Sequence, residues 1–296
     1  MDIYNKAFLA PISEYTNAPF RKMCKKYGAD YTLVPLISAT ALSRNRSYVE
    51  RIDFNEGVDD GIQLFGGNPA DFSRAVDVLL ESFPSLKWID INCGCPALNV
   101  HEAGGGSVLL GKPEIISKIL KEIRDKVDAL TVKMRVLGKQ EDTMKFVRCV
   151  VDAGADFITI HGRTPSQGYS GKCNWEVIKE IKQIVDVPII GNGDIRNRKE
   201  GAEKVSAGYC DGFMIGRAAM GNPGCFSDKN ISSCEDAISF MNEYIGICTE
   251  MNCVNINDLR GKGLQFFREF SGSSRMREEI GKCKSVEDIE RILKRN

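Results

Sequence analysis

Eight short apolar segments recur along the first part of this chain, and a helical pattern follows each of them. They read AFLAPI (7–12), YTLVP (31–35), GIQLFG (61–66), WIDINCG (88–94), LTVKMR (130–135), FITIHG (157–162), PIIGNG (188–193) and GFMIG (212–216). The runs are nearly continuous in apolar residues, as parallel strands covered on both faces should be. Stretches such as 69–83, 113–127 and 174–185 have apolar residues at helical spacing, with Pro, Asn or Asp near their starts. Eight β–α units over about 220 residues match the count and length of a TIM barrel. A doubly wound sheet would place a glycine-rich turn after its first strand, whereas this chain has FLAPISEYTN there. The expectation is a TIM (β/α)8 barrel over residues 1–230.

After Pro223 the alternation stops. Four helical patterns follow, CEDAISFMNEYIGICTEM, INDLRGKGLQFFREFSG, SSRMREEIGKC and SVEDIERILKRN. The last opens on Ser285 with Asp288 three residues on, a capping box with Asp in place of Glu. Residues 231–296 are therefore expected to form a small all-α C-terminal domain.

Charge narrows the function classes. Lys and Arg number 40 and Asp and Glu number 40, so no global field draws the chain to a nucleic acid or membrane, and a polyanion would have to meet a local patch. The segment MDIYNKAFLAPISEY lacks a basic start followed by a long apolar run, so no secretory leader is expected, nor is a membrane span. Eleven cysteines, an odd number and mostly within apolar patterns, read as reduced thiols in a cytoplasmic protein. Cys93-Gly-Cys95 has the wrong spacing for a zinc site and no second pair answers it, so no metal is expected.

The active site of a TIM barrel lies at the C-terminal ends of its strands. Seven of the eight strand ends carry polar residues: Pro11-Ile12-Ser13, Gln63, Asn92 with Cys93 and Cys95, Lys133 with Arg135, His161 with Arg163, Asn192-Gly193-Asp194, and Gly216-Arg217. Packing does not call for so many donors on one rim. The loops after strands seven and eight are the usual phosphate corner of this fold, and Arg217 adds a charge there. Lys133 interrupts a strand. It either pairs with a carboxylate such as Asp90 or stands beside an electron-accepting ring. His161 is one of two histidines, too few for a multi-histidine metal site.

In order along the chain, APISEYTNAPFR, QLFG, NCGCPALNVHEAGGGSVLLGKPE, HGRTPSQGYSGKCNW, IIGNGDI and MIGRAAMGNP resemble the tRNA-dihydrouridine synthases, FMN-dependent TIM barrels with a C-terminal helical domain. The resemblance spans residues 10–224, and the helical tail more loosely. It implies reduction of the 5,6-double bond of uridines in tRNA, with NADPH (or NADH) reducing the flavin. Pro11, Ile12, Ser13, Gln63, Lys133 and His161 would hold the flavin ring and ribityl chain. Asn192, Gly193, Asp194, Gly216 and Arg217 would bind its tail and phosphate. Cys95 matches the general acid, and Asn92 would lie near both flavin and target base. Arg135, Arg163, Lys262, Arg268 and Arg275 are expected on the substrate side. A thiol titrates near 8.5 in water, so it holds a proton to donate at neutral pH.

The tail supports two readings. Residues 259–284 hold seven basic residues against three acidic ones, Glu269, Glu278 and Glu279, a local excess of +4, with Phe266, Phe267 and Phe270 interleaved. They form either a tRNA platform or an ordinary helix core with a solvated face. The rival functions are an FMN-dependent dehydrogenase acting on a free pyrimidine such as dihydroorotate, and a non-catalytic RNA-binding barrel. No obligate protein partner is evident.

Overall fold

The computed structural model describes residues 1–268, 270 and 273–295. Eight parallel strands lie in the order β1-β8-β7-β6-β5-β4-β3-β2: β1 (Ala7–Leu9), β2 (Leu33–Ser38), β3 (Gly61–Phe65), β4 (Trp88–Cys93), β5 (Ala129–Arg135), β6 (Phe157–His161), β7 (Ile189–Asn192) and β8 (Gly212–Ile215). A parallel bridge between Phe8 and Tyr31 joins the two ends of the sheet, with the Leu9 N–H on the Tyr31 carbonyl at 2.9 Å. This is the expected TIM barrel.

The helices on its outside are α1 (Ala18–Lys26), α2 (Ala39–Arg44), α3 (Pro69–Ser82), α4 (Leu98–Glu102), α5 (Pro113–Ile123), α6 (Gln140–Asp152), α7 (Trp175–Ile184), α8 (Arg198–Ser206) and α9 (Arg217–Gly221). Their starts follow from local chemistry. Asn17, Ser38, Asn68, Asn174 and Asn197 each cap a helix with the side-chain oxygen, satisfying N–H groups that have no partner in the first turn. Two strands depart from the sequence expectation because of proline. β1 ends at Leu9, just before Pro11, and β2 starts later and runs on to Ser38 across a register shift between Val34 and Ile37. Pro35 cannot donate to the ladder, and Leu36 takes a φ of 46°.

Side chains alternate in and out along each strand, and the interior changes character from bottom to top. At the strand starts Phe8, Tyr31, Trp88 and Phe157 pack ring against ring, with centroids 4.9–6.2 Å apart. Two residues on from Trp88 comes Asp90, and two further comes Asn92. Two on from Phe157 comes Thr159, and then His161. One end of the barrel is plugged with aromatic rings, and the other end is left polar.

The tail consists of α10 (Cys234–Glu250), α11 (Ile256–Phe266), α12 (Ser273–Lys282) and α13 (Val286–Arg295). Ser233 and Asp236 form a capping box at α10, and Ser285 and Asp288 exchange the expected reciprocal bonds before α13. The tail does not have a core to itself. Phe240, Tyr244, Leu259, Phe266 and Phe267 share one apolar cluster with Leu9 of β1 and with Phe20 and Met23 of α1. Lys22–Glu250 and Lys26–Glu243 pairs link α1 to α10 across that seam. Among the described residues no helix is long and apolar enough to cross a membrane.

Candidate active site

A cleft of about 720 Å³ opens at the C-terminal ends of the strands, between the barrel mouth and helices α9 and α11. That volume is in the range that encloses a cofactor-sized molecule. Among the described residues five cations line it, Lys133, Arg135, Arg196, Arg217 and Arg268, against a single carboxylate, Asp194. A chain without net charge thus carries a strongly basic mouth. A wider groove of about 1190 Å³ lies outside the barrel between α5 and α6 and gathers none of the strand-end residues.

One wall of the cleft is the corner after β4. Asn92 points inward and Cys93 outward, as strand alternation requires. Cys93 is fully buried among apolar side chains, and that burial pushes its thiol well above the ordinary range. It is a packing residue. Cys95, two positions on, is half-buried and lines the cleft. Asn92 Oδ1 accepts the N–H groups of Gly94 at 3.0 Å and of Cys95 at 2.9 Å. The Cys95 carbonyl accepts the Ser107 N–H at 2.9 Å, and His101 bonds the Ser107 hydroxyl at 2.8 Å. Gly106 packs against this carbonyl with a φ of 62°, and a Cβ there would sit 2.4 Å from the Cys95 oxygen. The thiol is therefore presented by a corner fixed from two sides.

Below that corner a polar column descends into the barrel. Asn92 Nδ2 donates to Gln63 Oε1 at 2.9 Å, and Gln63 Nε2 donates to Asp90 Oδ2 at 2.7 Å. Thr131 donates to Asp90 Oδ1 at 2.6 Å and accepts the Trp88 indole N–H at 2.8 Å. Strand register makes this possible, because Gln63, Asp90 and Thr131 are direct neighbours across β3, β4 and β5.

On the opposite wall, Lys133 has no carboxylate within ion-pairing distance among the described residues, and among them its one hydrogen bond reaches Asn192 Oδ1 at 3.3 Å. The Asp90 pairing considered for it from sequence does not form. Burial, with Arg135 beside it, lowers the Lys133 ammonium to about 8, and Asp90 partly offsets this. Burial and the cations Lys133, Arg135, Arg163 and Arg217 push His161 down to about 2, so its imidazole is neutral. Asn192 Nδ2 is held by the Met214 carbonyl at 2.8 Å.

The corner after β7 and β8 is built around Asp194, which sits at a φ of 58°, a conformation that non-glycine residues hold only when neighbours enforce it. Its carboxylate accepts Arg163 Nη2 at 2.8 Å, the Cys173 N–H at 3.0 Å and Arg217 Nη2 at 3.0 Å. Although burial opposes it, the Arg163 guanidinium, the Cys173 N–H and Arg217 hold this carboxyl below the usual range. Gly193, at a φ of 128°, has no room for a Cβ, which would lie 2.5 Å from Cys173 Sγ. Arg163 Nη1 is buried without a hydrogen-bond partner among the described residues. An almost unpaired lysine and an orphaned guanidinium nitrogen in one region fit an anionic group.

Of the residues singled out from sequence, the cleft lining brings together Pro11, Ile12, Asn92, Cys95, Lys133, Arg135, His161, Asn192, Gly193, Asp194, Gly216, Arg217 and Arg268. Ser13 is exposed outside the lining, Gln63 lies buried beneath the floor, and Arg163 stands behind Asp194. Lys262 is a correction. It is 1% exposed, bonded to the Tyr15 carbonyl at 2.5 Å and Asp258 at 3.0 Å, so it has no face to offer a substrate. Phe266 and Phe267 are likewise fully buried in the seam, which decides the tail's aromatics as core. Arg275 is exposed and paired with Glu279. Glu269 lies outside the described residues. The residue that sequence reasoning passed over is Tyr169, 61% exposed on the cleft rim with the Arg217 and Arg135 guanidiniums 4.6 and 5.7 Å from its ring. Its signal was an aromatic between two loop glycines, Gly168 and Gly171.

Proteins of one family resemble this chain over most of its length. A family model described as dihydrouridine synthase (Dus) matches residues 8–293. The probable tRNA-dihydrouridine synthase of Aquifex aeolicus (strain VF5) is 32% identical over 279 residues, covering 86% of this chain and 87% of that protein. tRNA-dihydrouridine synthase B of Escherichia coli (strain K12) is 31% identical over 229 residues, or 76% of this chain and 71% of that one. Among solved structures, a variant of NCR from Zymomonas mobilis has a TM-score of 0.50 at 13% identity, over 74% of this chain and 83% of that chain. That likeness concerns the barrel fold.

Proposed function

The chain belongs to the dihydrouridine synthase family, and from that premise we propose that it reduces the 5,6-double bond of uridines in tRNA to dihydrouridine, with FMN as resident cofactor. The observation that carries this reading is a half-buried thiol held at the rim of a cation-lined cleft at the strand ends.

The residues fit the cofactor. A flat ring with a phosphate tail needs a slot with an under-paired cation, and Lys133 on the cleft wall meets that need, with Arg163 adding positive charge from behind Asp194. Pro11, Ile12, Lys133 and His161 would hold the ring, while Asn192, Gly193, Gly216 and Arg217 would hold the tail. Asp194 keeps two arginines in place for it. When bound, FMN would supply a hydride to C6 of the uracil ring and be recharged by NADPH (or NADH). Cys95 then gives its proton to C5, so one hydride and one proton saturate the double bond, and the thiolate regains its proton from solvent. A neutral His161 can donate or accept without adding charge. Arg135, Arg217 and Arg268 would meet the polyanion around the extruded nucleotide. Action on tRNA supports a cytoplasmic location.

The test is anaerobic reoxidation of the pre-reduced bound flavin by unmodified tRNA, with uracil and orotate as controls. Reoxidation by tRNA alone is expected, while reoxidation by a free pyrimidine alone would assign the cleft to a dehydrogenase. Cys95→Ala should retain FMN and lose turnover by about 10²–10⁴-fold. Undiminished turnover would remove Cys95 as the acid.

A further inference from the structure

The polar column beneath Cys95 has a direction. A tryptophan indole can only donate, and so can the backbone N–H groups of Gly94 and Cys95. Starting from the indole, the donor sense runs Trp88 to Thr131 to Asp90. Starting from the loop, it runs Cys95 to Asn92 to Gln63 to Asp90. Two donor-led chains therefore meet head-on at one side chain, and that side chain must accept on both of its oxygens. An amide accepts on one side and donates on the other, and a protonated acid has the same asymmetry. An ionised carboxylate is the side chain of that size that satisfies both.

We propose that Asp90 is a positioning residue for Cys95: its carboxylate fixes the polarity of the Gln63 and Asn92 amides and so turns Asn92 Oδ1, rather than Nδ2, toward the Gly94 and Cys95 N–H groups. The proposal rests on the reading of Cys95 as the acid and deepens it. Each side-chain amide could flip with no change of shape, so nothing but this bonding decides which end faces the loop. Asp90, Gln63 and Asn92 are buried at 1%, 0% and 7% exposure. Water is thus in no position to repair a reversed amide, and an amide facing the loop with its NH₂ would set donor against donor. Burial raises the Asp90 carboxyl to about 6, against the hydrogen bonds from Thr131 and Gln63 and the nearby Lys133 ammonium. It is still ionised at neutral pH.

The logic gives a test by relocation. Asp90→Asn places a donor where an acceptor is needed. Adding Gln63→Glu moves the acceptor-only group one step along the column: the new amide at 90 accepts from Thr131 and donates to the carboxylate at 63, which also accepts from Asn92. Three holoenzymes, wild type, Asp90→Asn and the double variant, are compared by the iodoacetamide alkylation rate of Cys95, read by peptide mass, and by kcat and KM on unmodified tRNA. Expected for Asp90→Asn is a kcat lower by about 10- to 100-fold, as for a misplaced reacting group. Its KM should stay within about twofold, and Cys95 should alkylate about threefold faster as the corner loosens. The double variant should return the Cys95 alkylation rate toward wild type. An unchanged alkylation rate in Asp90→Asn overturns the proposal. So does loss of folded protein with kcat per folded flavoprotein intact. If Asp90→Asn does not accumulate, recovery of a folded flavoprotein with wild-type thiol reactivity in the double variant supports the proposal, and failure to recover overturns it. Alkylation needs no tRNA, so a wild type inactive on tRNA with a rescued thiol would sink the substrate reading and leave this one standing.

Discussion

Lys133 at the barrel mouth and Lys262 at the seam between barrel and tail are both lysines drawn away from bulk water, but their neighbours treat them in opposite ways. Lys262 is saturated. Its ammonium reaches the Tyr15 carbonyl at 2.5 Å and Asp258 at 3.0 Å, and it lies 3.7 and 4.9 Å from the Tyr15 and Phe20 ring centres. Lys133 is half-buried with one long bond to Asn192. A cation fully matched inside the protein holds the protein together. A cation left nearly unmatched in a cleft is waiting for something that the protein does not supply.

The comparison breaks most readily at Lys262. Lys262→Met keeps the volume and leaves Asp258 and the Tyr15 carbonyl without their cation. Removing one partner of a buried pair costs about 3–5 kcal/mol, so the flavin-free protein should melt roughly 10 °C lower. Tyr15 sits in the loop that carries Pro11 and Ile12, so flavin retention should weaken as a secondary effect. An unchanged Tm would remove Lys262 from the structural class.

Lys133→Met should do the reverse. The flavin-free protein should melt no lower than wild type, since no ion pair is lost. Turnover should fall by about 10²–10³-fold, the loss expected on deleting a charge aimed at a developing anion. The wild type offers the same test through pH. Lys133 is charged below about 8 and neutral above it, so flavin affinity and turnover should decline as pH rises through 8. Stability runs the other way. Between 8 and the ordinary lysine value near 10.4 the unfolded chain holds a proton that the native state has released. Unfolding free energy of the flavin-free protein therefore rises with pH in that window. A flat pH profile in wild type, or a matching fall in Tm for Lys133→Met, would erase the distinction between the two lysines.

The sequence shows these two lysines unequally. Lys133 stands out because it interrupts an apolar strand whose alternation points it inward. Lys262 was counted with the basic residues of the tail, because a charge count carries no direction. What buries it is Tyr15, a residue 247 positions away. The same limit applies in the barrel. Eight strands and four tail helices are legible because their periods are local properties. The ends of β1 and β2 shift at Pro11 and Pro35, where the ladder loses a donor. Of the two readings that the sequence leaves open for Lys133, the pairing with Asp90 fails, because strand register sets Asp90 between Gln63 and Thr131. Register across three strands is not written in any one of them. Tyr169 went unnoticed for a similar reason, since its two arginines come from the ends of β5 and β8.

The tail repeats the contrast on a smaller scale, between Arg268 and Arg275. Arg268 lines the cleft mouth and, among the described residues, bonds the neutral Gln265, whereas Arg275 is already paired with Glu279 four residues on. A phosphate that binds Arg275 must compete with that carboxylate, and a fully exposed arginine in a solvated pair adds little to binding. Among the described residues Arg268 has no carboxylate within ion-pairing distance. Arg268→Ala should therefore weaken tRNA binding and reduce the slope of log affinity against log salt by about one, the signature of one lost phosphate contact. Arg275→Ala should leave both within about twofold. Equal slopes for the two variants would mean that the tail's charge acts as a diffuse field. The substrate side of the cleft would then end at the barrel's own arginines, Arg135 and Arg217.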